Sequence, residues 1–304
     1  MTSLAFPLVP SRRGSGLEVA GRTSRRRGSG SEIASTRPYR RGDAVKLIDW
    51  AASARLSSAR GSDEFVVRDH FAEDAVRVVV VVDRSPSMRL YADGLPWLQK
   101  SVAARLAATA ILESAAAVNG LVGFADAGIA VAVEHPRRDP VVRRRLEELI
   151  GRGETSGPVD SVDRALAALG RRVSRVPPGT FVFVISDLFP APSPETLRLA
   201  VAAGWDLVPV VVQDPTWERS FPEVAGVSLP IAEPATGAIS LVRLTEAEIR
   251  RRREECEARL LSFRDRLDVL GLDEVVVTSH EPERVHAAFL GWAGSRVHRL
   301  RGGP

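Results

Sequence analysis

Val78 to Val82 are five consecutive β-branched apolar residues, and they run directly into Asp83, Ser85 and Ser87. A run that is apolar at both alternating positions predicts a strand covered on both faces, and its polar end predicts a chain emerging into a crevice. The pattern recurs at 180–186, which leads into Asp187, and at 207–212. Shorter apolar stretches at 64–68 and 274–278 predict two further strands, the first flanked by charges and therefore at an edge or in a hairpin. Elsewhere the spacing changes to a helical period, which predicts helices over 96–117, 141–150, 159–169, 194–203, 245–270 and 282–292. Thr245 and Glu248 form a capping box at the start of the longest of these. Residues 121–125 and 129–133 flank a turn as one hairpin, and a second hairpin is expected between 227 and 244. Strands alternating with helices predict an α/β fold with a doubly wound, mainly parallel sheet.

Before residue 35 this alternation is missing. Two tracts rich in Arg, Gly and Ser, at 11–16 and 24–30, enclose a short apolar piece, and such tracts bury too little to order themselves. A flexible basic arm over 1–34 is the expectation. The next segment, 35–74, is denser in distinctive residues: Tyr39, Gly42, Asp43, Lys46, Ile48, Asp49, Trp50, Ser53, Ala54 and Arg55. Asp43 is expected to cap a short helical turn. Asp49 is expected near Arg37, Arg41 or Arg55, and Trp50 is expected to anchor the segment on the main domain, with partner contact as the alternative. Residues 75–304 then form the α/β domain.

Composition excludes more than it identifies. The chain has 304 residues, 44% hydrophobic and 26% charged, which is ordinary for a globular protein able to bury a core. Of its 42 basic residues only Lys46 and Lys100 are lysines, a bias that reads as codon usage rather than ligand selection. The net charge is +4, acidic residues accompany most arginines, and no stacking aromatics interleave the basic runs, so nucleic-acid binding is not expected. Cys256 stands alone, which excludes a disulfide framework and a cysteine-based metal site. No apolar run reaches the roughly 18 residues that span a bilayer, so no membrane span and a cytoplasmic location are expected.

The candidate chemistry sits at the strand ends. Asp83, Ser85 and Ser87 after one strand, Asp187 after another, and Thr155 or Ser156 in the loop at 151–157 offer oxygens from three segments to one crevice. Oxygen donors suit a hard cation such as Mg²⁺ or Mn²⁺. The Asp-x-Ser-x-Ser spacing is also what a tight turn uses, so the convergence carries the reading and the pentapeptide alone does not.

With Thr155 and Asp187, the Asp83-x-Ser85-x-Ser87 motif resembles the metal-ion-dependent adhesion site of the von Willebrand factor A fold, over roughly 75–292. The resemblance implies that Ser85, Ser87 and Thr155 touch the ion through hydroxyls while Asp83 and Asp187 act mostly through water. The block from Arg37 to Arg55 resembles the bacterial family named domain of unknown function fifty-eight, with its Tyr-x-x-Gly-Asp turn, Ile-Asp-Trp and Ser-Ala-Arg. That resemblance implies association with MoxR-type AAA+ ATPases.

Enzyme motifs are weak. A phosphotransferase of the haloacid-dehalogenase kind needs a second Asp two residues after the nucleophile, and Ser85 stands there. There is no Gly-x-Ser-x-Gly elbow, no phosphate-binding Gly-rich loop and no ligand spacing among the five histidines. The expected function is a non-enzymatic, cation-dependent protein interaction module, a partner of a MoxR-type ATPase or of its client. The alternatives are a metal-assisted phosphohydrolase using Asp83 and a basic adaptor for nucleic acid.

Overall fold

The structure is a computed structural model that describes residues 3–11, 23–40, 43, 45–61, 64–73, 75–90, 97–128, 130–151, 157–171, 175–233, 236 and 238–301. It divides into two compact units, one of residues 1–11 with 76–304 and the other of residues 12–75.

The larger unit is built on a six-stranded sheet. Its strands are β3 (Arg77–Val82), β4 (Leu121–Ala127), β5 (Val131–Arg137), β6 (Phe181–Ser186), β7 (Asp206–Val212) and β10 (Val275–Val277), in the order β10-β7-β6-β3-β4-β5. All neighbours are parallel except β4 and β5, the hairpin expected from the sequence. From β3 the chain first steps to β4, then crosses to the other side to form β6. The order therefore reverses between β3 and β6, the place where open α/β sheets put ligands.

Residue parity sorts the core. Val78, Val80, Val82, Phe181, Phe183, Ile185, Val208 and Val210 face one layer, which holds α2 (Lys100–Ala117), α3 (Pro140–Gly151) and α7 (Pro282–Arg301). Val79, Val81, Val182, Val184 and Leu207 face the other, which holds α4 (Ser161–Gly170) and α5 (Pro194–Ala202). α6 (Glu246–Leu270) packs Phe263 and Leu267 near Val211 and Leu188, and a separate hairpin joins β8 (Ser228–Ala232) to β9 (Ile239–Arg243). The mainly parallel sheet with helices on both faces is the architecture that the apolar runs predict. Among the described residues no helix is long and apolar enough to cross a membrane.

The N-terminal arm differs from the expectation. Leu4, Phe6 and Val9 are buried in the core of the larger unit, with Phe6 stacked on Phe289 at 4.5 Å between ring centroids. The Leu4 amide donates to Glu113 at 2.6 Å, the Phe6 amide to Ser114 at 2.8 Å, and the Arg296 guanidinium to the Val9 carbonyl at 2.8 Å. Residues 12–22, with the first basic tract, lie outside the described residues.

In the smaller unit β1 (Thr23–Pro38) pairs antiparallel with β2 (Val66–Glu73), so the second basic tract lies in a strand rather than a free arm. α1 (Trp50–Arg60) follows a single 3₁₀ turn at Val45–Leu47. Asp49 caps α1, with Oδ1 accepting the Ala52 amide at 3.0 Å, whereas Asp43 does not take the capping role expected of it. Asp43 instead takes the Arg37 guanidinium through both oxygens at 2.7 and 2.8 Å and the Arg40 amide at 2.7 Å, contacts that hold its carboxyl down at about 2. Ser53, buried, donates to the Asp49 carbonyl at 2.7 Å and accepts the Val66 amide at 2.9 Å, tying helix to strand. Ile48 bridges to Val67 and the Tyr39 amide donates to the Phe65 carbonyl at 2.8 Å. Gly42 lies outside the described residues, and Arg55 is exposed, its Nε on the Ala51 carbonyl at 3.1 Å.

Trp50 is the first residue of α1. It is 60% exposed, and its ring meets Phe65 edge-on at 6.1 Å within the same unit. Trp50 opens a helix whose buried residue is Ser53, so the indole falls on the solvent side.

Candidate functional site

β3 delivers the first carboxylate. The Asp83 amide continues the ladder by donating to the Ile185 carbonyl at 2.9 Å, which sets the side chain at the β3–β6 reversal. Asp83 Oδ1 accepts from the Ser85 amide at 2.8 Å and from Ser161 Oγ at 2.6 Å, and Oδ2 accepts from Ser186 Oγ at 2.6 Å. Burial, and after it the charge on Asp187, pushes the Asp83 carboxyl above the usual carboxylate range, while the three hydrogen bonds pull the other way.

Ser85 precedes a 3₁₀ turn at Pro86–Arg89 that turns the next hydroxyl back toward the sheet. Ser85 Oγ lies 2.9 Å from Ser87 Oγ, and Ser87 Oγ lies 3.0 Å from Asp187 Oδ1. With the Ser87 proton directed to the carboxylate, Ser85 supplies the proton between the two hydroxyls. Asp187 follows β6 and is held by a tight return of the chain. The Leu188 amide donates to Ser186 Oγ at 2.8 Å and the Phe189 amide to Asp187 Oδ1 at 3.0 Å, with Leu188 at φ +62°. A bulky residue in the left-handed region costs on the order of 1 kcal/mol or more, and such strain clusters at functional sites.

The four residues Asp83, Ser85, Ser87 and Asp187, read from two strand ends far apart in sequence, are thus brought together, and all are buried. Thr155 and Ser156 lie outside the described residues. Gly157, next in the chain, donates its amide to the Arg84 carbonyl at 2.8 Å, and a Cβ there would come within 2.5 Å of Arg84 Cβ. Only glycine permits that approach, which fixes the loop's exit beside the Asp83 turn. Arg84 itself points away, with Nε on Asp126 at 2.7 Å.

Sequence reasoning missed the rest of the network. Lys100, the first residue of α2, is fully buried; its ammonium reaches Asp187 Oδ2 at 2.6 Å, Glu218, and the Ser87 carbonyl at 3.2 Å. Burial alone would lower the Lys100 pKa, but the adjacent charges of Asp187 and Glu218 outweigh it and raise it. Glu218 is raised to about 7, by burial first and then by Asp187, against the pull of Lys100. Past the end of β7, Gln213 donates to the Asp187 carbonyl at 2.7 Å, and Asp214 accepts the Leu98 amide at 2.9 Å, which anchors the approach to α2. Ser161 and Ser186 were missed because single serines at a helix start and a strand end carry no pattern. Lys100 offered only its rarity, since it and Lys46 are the two lysines in a chain that otherwise uses arginine.

Among the described residues no group of three or more His, Cys, Asp or Glu side chains is arranged to hold a metal ion. The crevice offers a different donor set, two hydroxyls and two carboxylates, all of them hard oxygen donors.

No curated protein matches the chain. Among solved structures, an aerotolerance-related membrane protein from Bacteroides fragilis NCTC 9343, crystallised with multiple mutations to serines, is similar at 14% identity. The match covers 73% of this chain and 100% of that one with a TM-score of 0.40, a likeness too distant to carry an argument. The family model described as "Protein of unknown function DUF58" matches residues 35–260, from the Tyr39 segment through the whole strand-end network and into α6. The match takes in well over half of the chain, which therefore belongs to the DUF58 family.

Proposed function

We propose that this protein is a non-enzymatic interaction module whose crevice takes a divalent cation, Mg²⁺ or Mn²⁺, in the manner of the von Willebrand A-type adhesion site that its motifs resemble. The observation that carries the reading is the convergence at the β3–β6 reversal of Ser85 and Ser87, hydroxyl to hydroxyl at 2.9 Å, between Asp83 and Asp187. The donor set fits a hard cation, and two like charges held in a buried space favour its arrival. Ser85 and Ser87 would hold the ion through their hydroxyls, with Asp83 and Asp187 behind them and Thr155 or Ser156 completing the set by resemblance. The bound ion would supply positive charge for a carboxylate of the partner. Because the four residues are buried, a partner carboxylate reaches the crevice once the loops beyond β3 and β6 part, so capture includes an opening step.

A second contact is offered by the signature segment. Tyr39, Trp50 and Phe65 are 37%, 60% and 44% exposed and stack edge to face on one another through Phe65. Aromatic anchors of this kind are enriched in interface hot spots. The family resemblance points to a MoxR-type AAA+ ATPase, or its client, as the partner. The phosphohydrolase reading has less support, because both Asp83 oxygens are engaged by three donors and neither is left free to attack.

Capture of a purified MoxR-type ATPase on the immobilised full chain tests the reading. Capture is expected in millimolar Mg²⁺, with loss in chelator and in Asp83→Ala. Equal capture with and without the ion, or by Asp83→Ala with unchanged circular dichroism, would overturn it.

A further inference from the structure

We infer that Lys100 is the crevice's own resident cation, which holds Asp187 in place of an external ion and thereby limits how tightly a divalent cation binds. The inference rests on the cation reading above and concerns the regulation of the same site.

The ammonium contacts Asp187 Oδ2 at 2.6 Å, while the other oxygen of that carboxylate takes Ser87 Oγ at 3.0 Å. Ser87 is met at both ends, because its carbonyl accepts from the same ammonium at 3.2 Å. Every route from Ser85 and Ser87 to Asp187 therefore leads to a carboxylate already shared with a fixed positive charge. Like charges a few ångströms apart repel strongly where water is excluded, and Lys100 is fully buried.

The residue type fits the role. Lys46 and Lys100 are the two lysines among 42 basic residues, so arginine is this chain's default cation. A compact ammonium can sit between Asp187, Glu218 and a carbonyl, whereas a planar five-donor guanidinium needs a wider, flatter set of acceptors. Lys100 also positions: it orients Asp187 toward Ser87 and ties the start of α2 to the turn after β3, so the crevice is assembled before any ion arrives.

The test is titration of the full chain with Mn²⁺ alone, followed by the loss of the free-ion electron paramagnetic resonance signal. The main variant is Lys100→Met with Glu218→Gln, which removes the ammonium together with a carboxylate it would strand. Lys100→Gln, which keeps a donor toward both carboxylates, replaces it if the double variant does not fold. Lys46→Gln removes the same unit of charge elsewhere in the sequence. Mn²⁺ affinity is expected to rise at least about tenfold in the Lys100 variants and to stay within about twofold of the parent in Lys46→Gln. If the parent binds no Mn²⁺ and the Lys100 variants do, the inference stands and the cation reading of the native chain fails. If parent and Lys100 variants bind alike, or Lys46→Gln tightens binding equally, Lys100 is no competitor and the cation reading survives. If none binds, both are overturned.

Discussion

Phe6→Ala should destabilise the α/β unit as much as a central core truncation. Phe6 is 5% exposed, stacks on Phe289 at 4.5 Å and 19°, and meets Trp292 and Phe183 edge-on at 5.8 and 6.2 Å. Losing the burial of a phenylalanine costs roughly 1.5–3 kcal/mol, and the cavity and lost ring pairs bring the expected total to about 3–5 kcal/mol. Urea unfolding followed by tryptophan fluorescence measures it, best in a Trp50→Phe background. The remaining tryptophans, Trp97, Trp205, Trp217 and Trp292, then all report on the larger unit. Phe6→Leu, which keeps most of the volume, should cost clearly less, and deletion of residues 1–11 clearly more, since it also strands Glu113 and Ser114. A Phe6→Ala cost below about 1 kcal/mol would show that the segment is not part of the core.

Trp50→Ala, by contrast, should change stability by less than about 1 kcal/mol in the same assay, because the side chain is 60% exposed, and it should weaken capture of the ATPase. Glu218 makes stability depend on pH. Its carboxyl lies at about 7 in the fold against 4.5 in the unfolded chain, so the folded state holds its proton longer, and the stability this contributes below pH 4.5 is lost as pH rises to about 7. Glu218→Gln should flatten that part of the stability profile; an unchanged slope between those values in urea titrations would refute the assignment.

The apolar runs made the sheet legible because fully buried parallel strands leave no alternation to misread, and the runs of β3 and β6 lead straight into Asp83 and Asp187. Asp83, Ser85, Ser87 and Asp187 were therefore readable, since strand ends convert sequence position into place. Lys100 and Glu218 were not: each reaches the crevice from a different element, and their partners are 87 and 118 residues apart in sequence. The same holds for residues 3–11, whose apolar stretch is short and interrupted by prolines, and whose anchoring hydrogen bonds at Leu4, Phe6 and Val9 reach partners more than 100 residues away. β1 was missed because an Arg, Gly and Ser tract lacks the β-branched alternation that marks a strand, and its pairing comes from β2. Asp43 differs from its expected capping role because Asp43 and Asp49 both precede helical turns, and only the structure shows that Arg37 and the Arg40 amide claim Asp43 while Asp49 caps α1.

The most direct test of the central claim is thermal unfolding of the full chain across a Mg²⁺ or Mn²⁺ series, with Asp83→Ala and Ser87→Ala beside it. A ligand that binds only the folded state stabilises it by about 2.7 kcal/mol at a hundred times its dissociation constant, so the midpoint should climb steadily with concentration. Ser87→Ala, which loses one neutral donor, should climb less, and Asp83→Ala should not respond at all. A parent midpoint unmoved by millimolar concentrations of either ion would contradict the claim and leave Asp83, Ser85 and Ser87 as a turn.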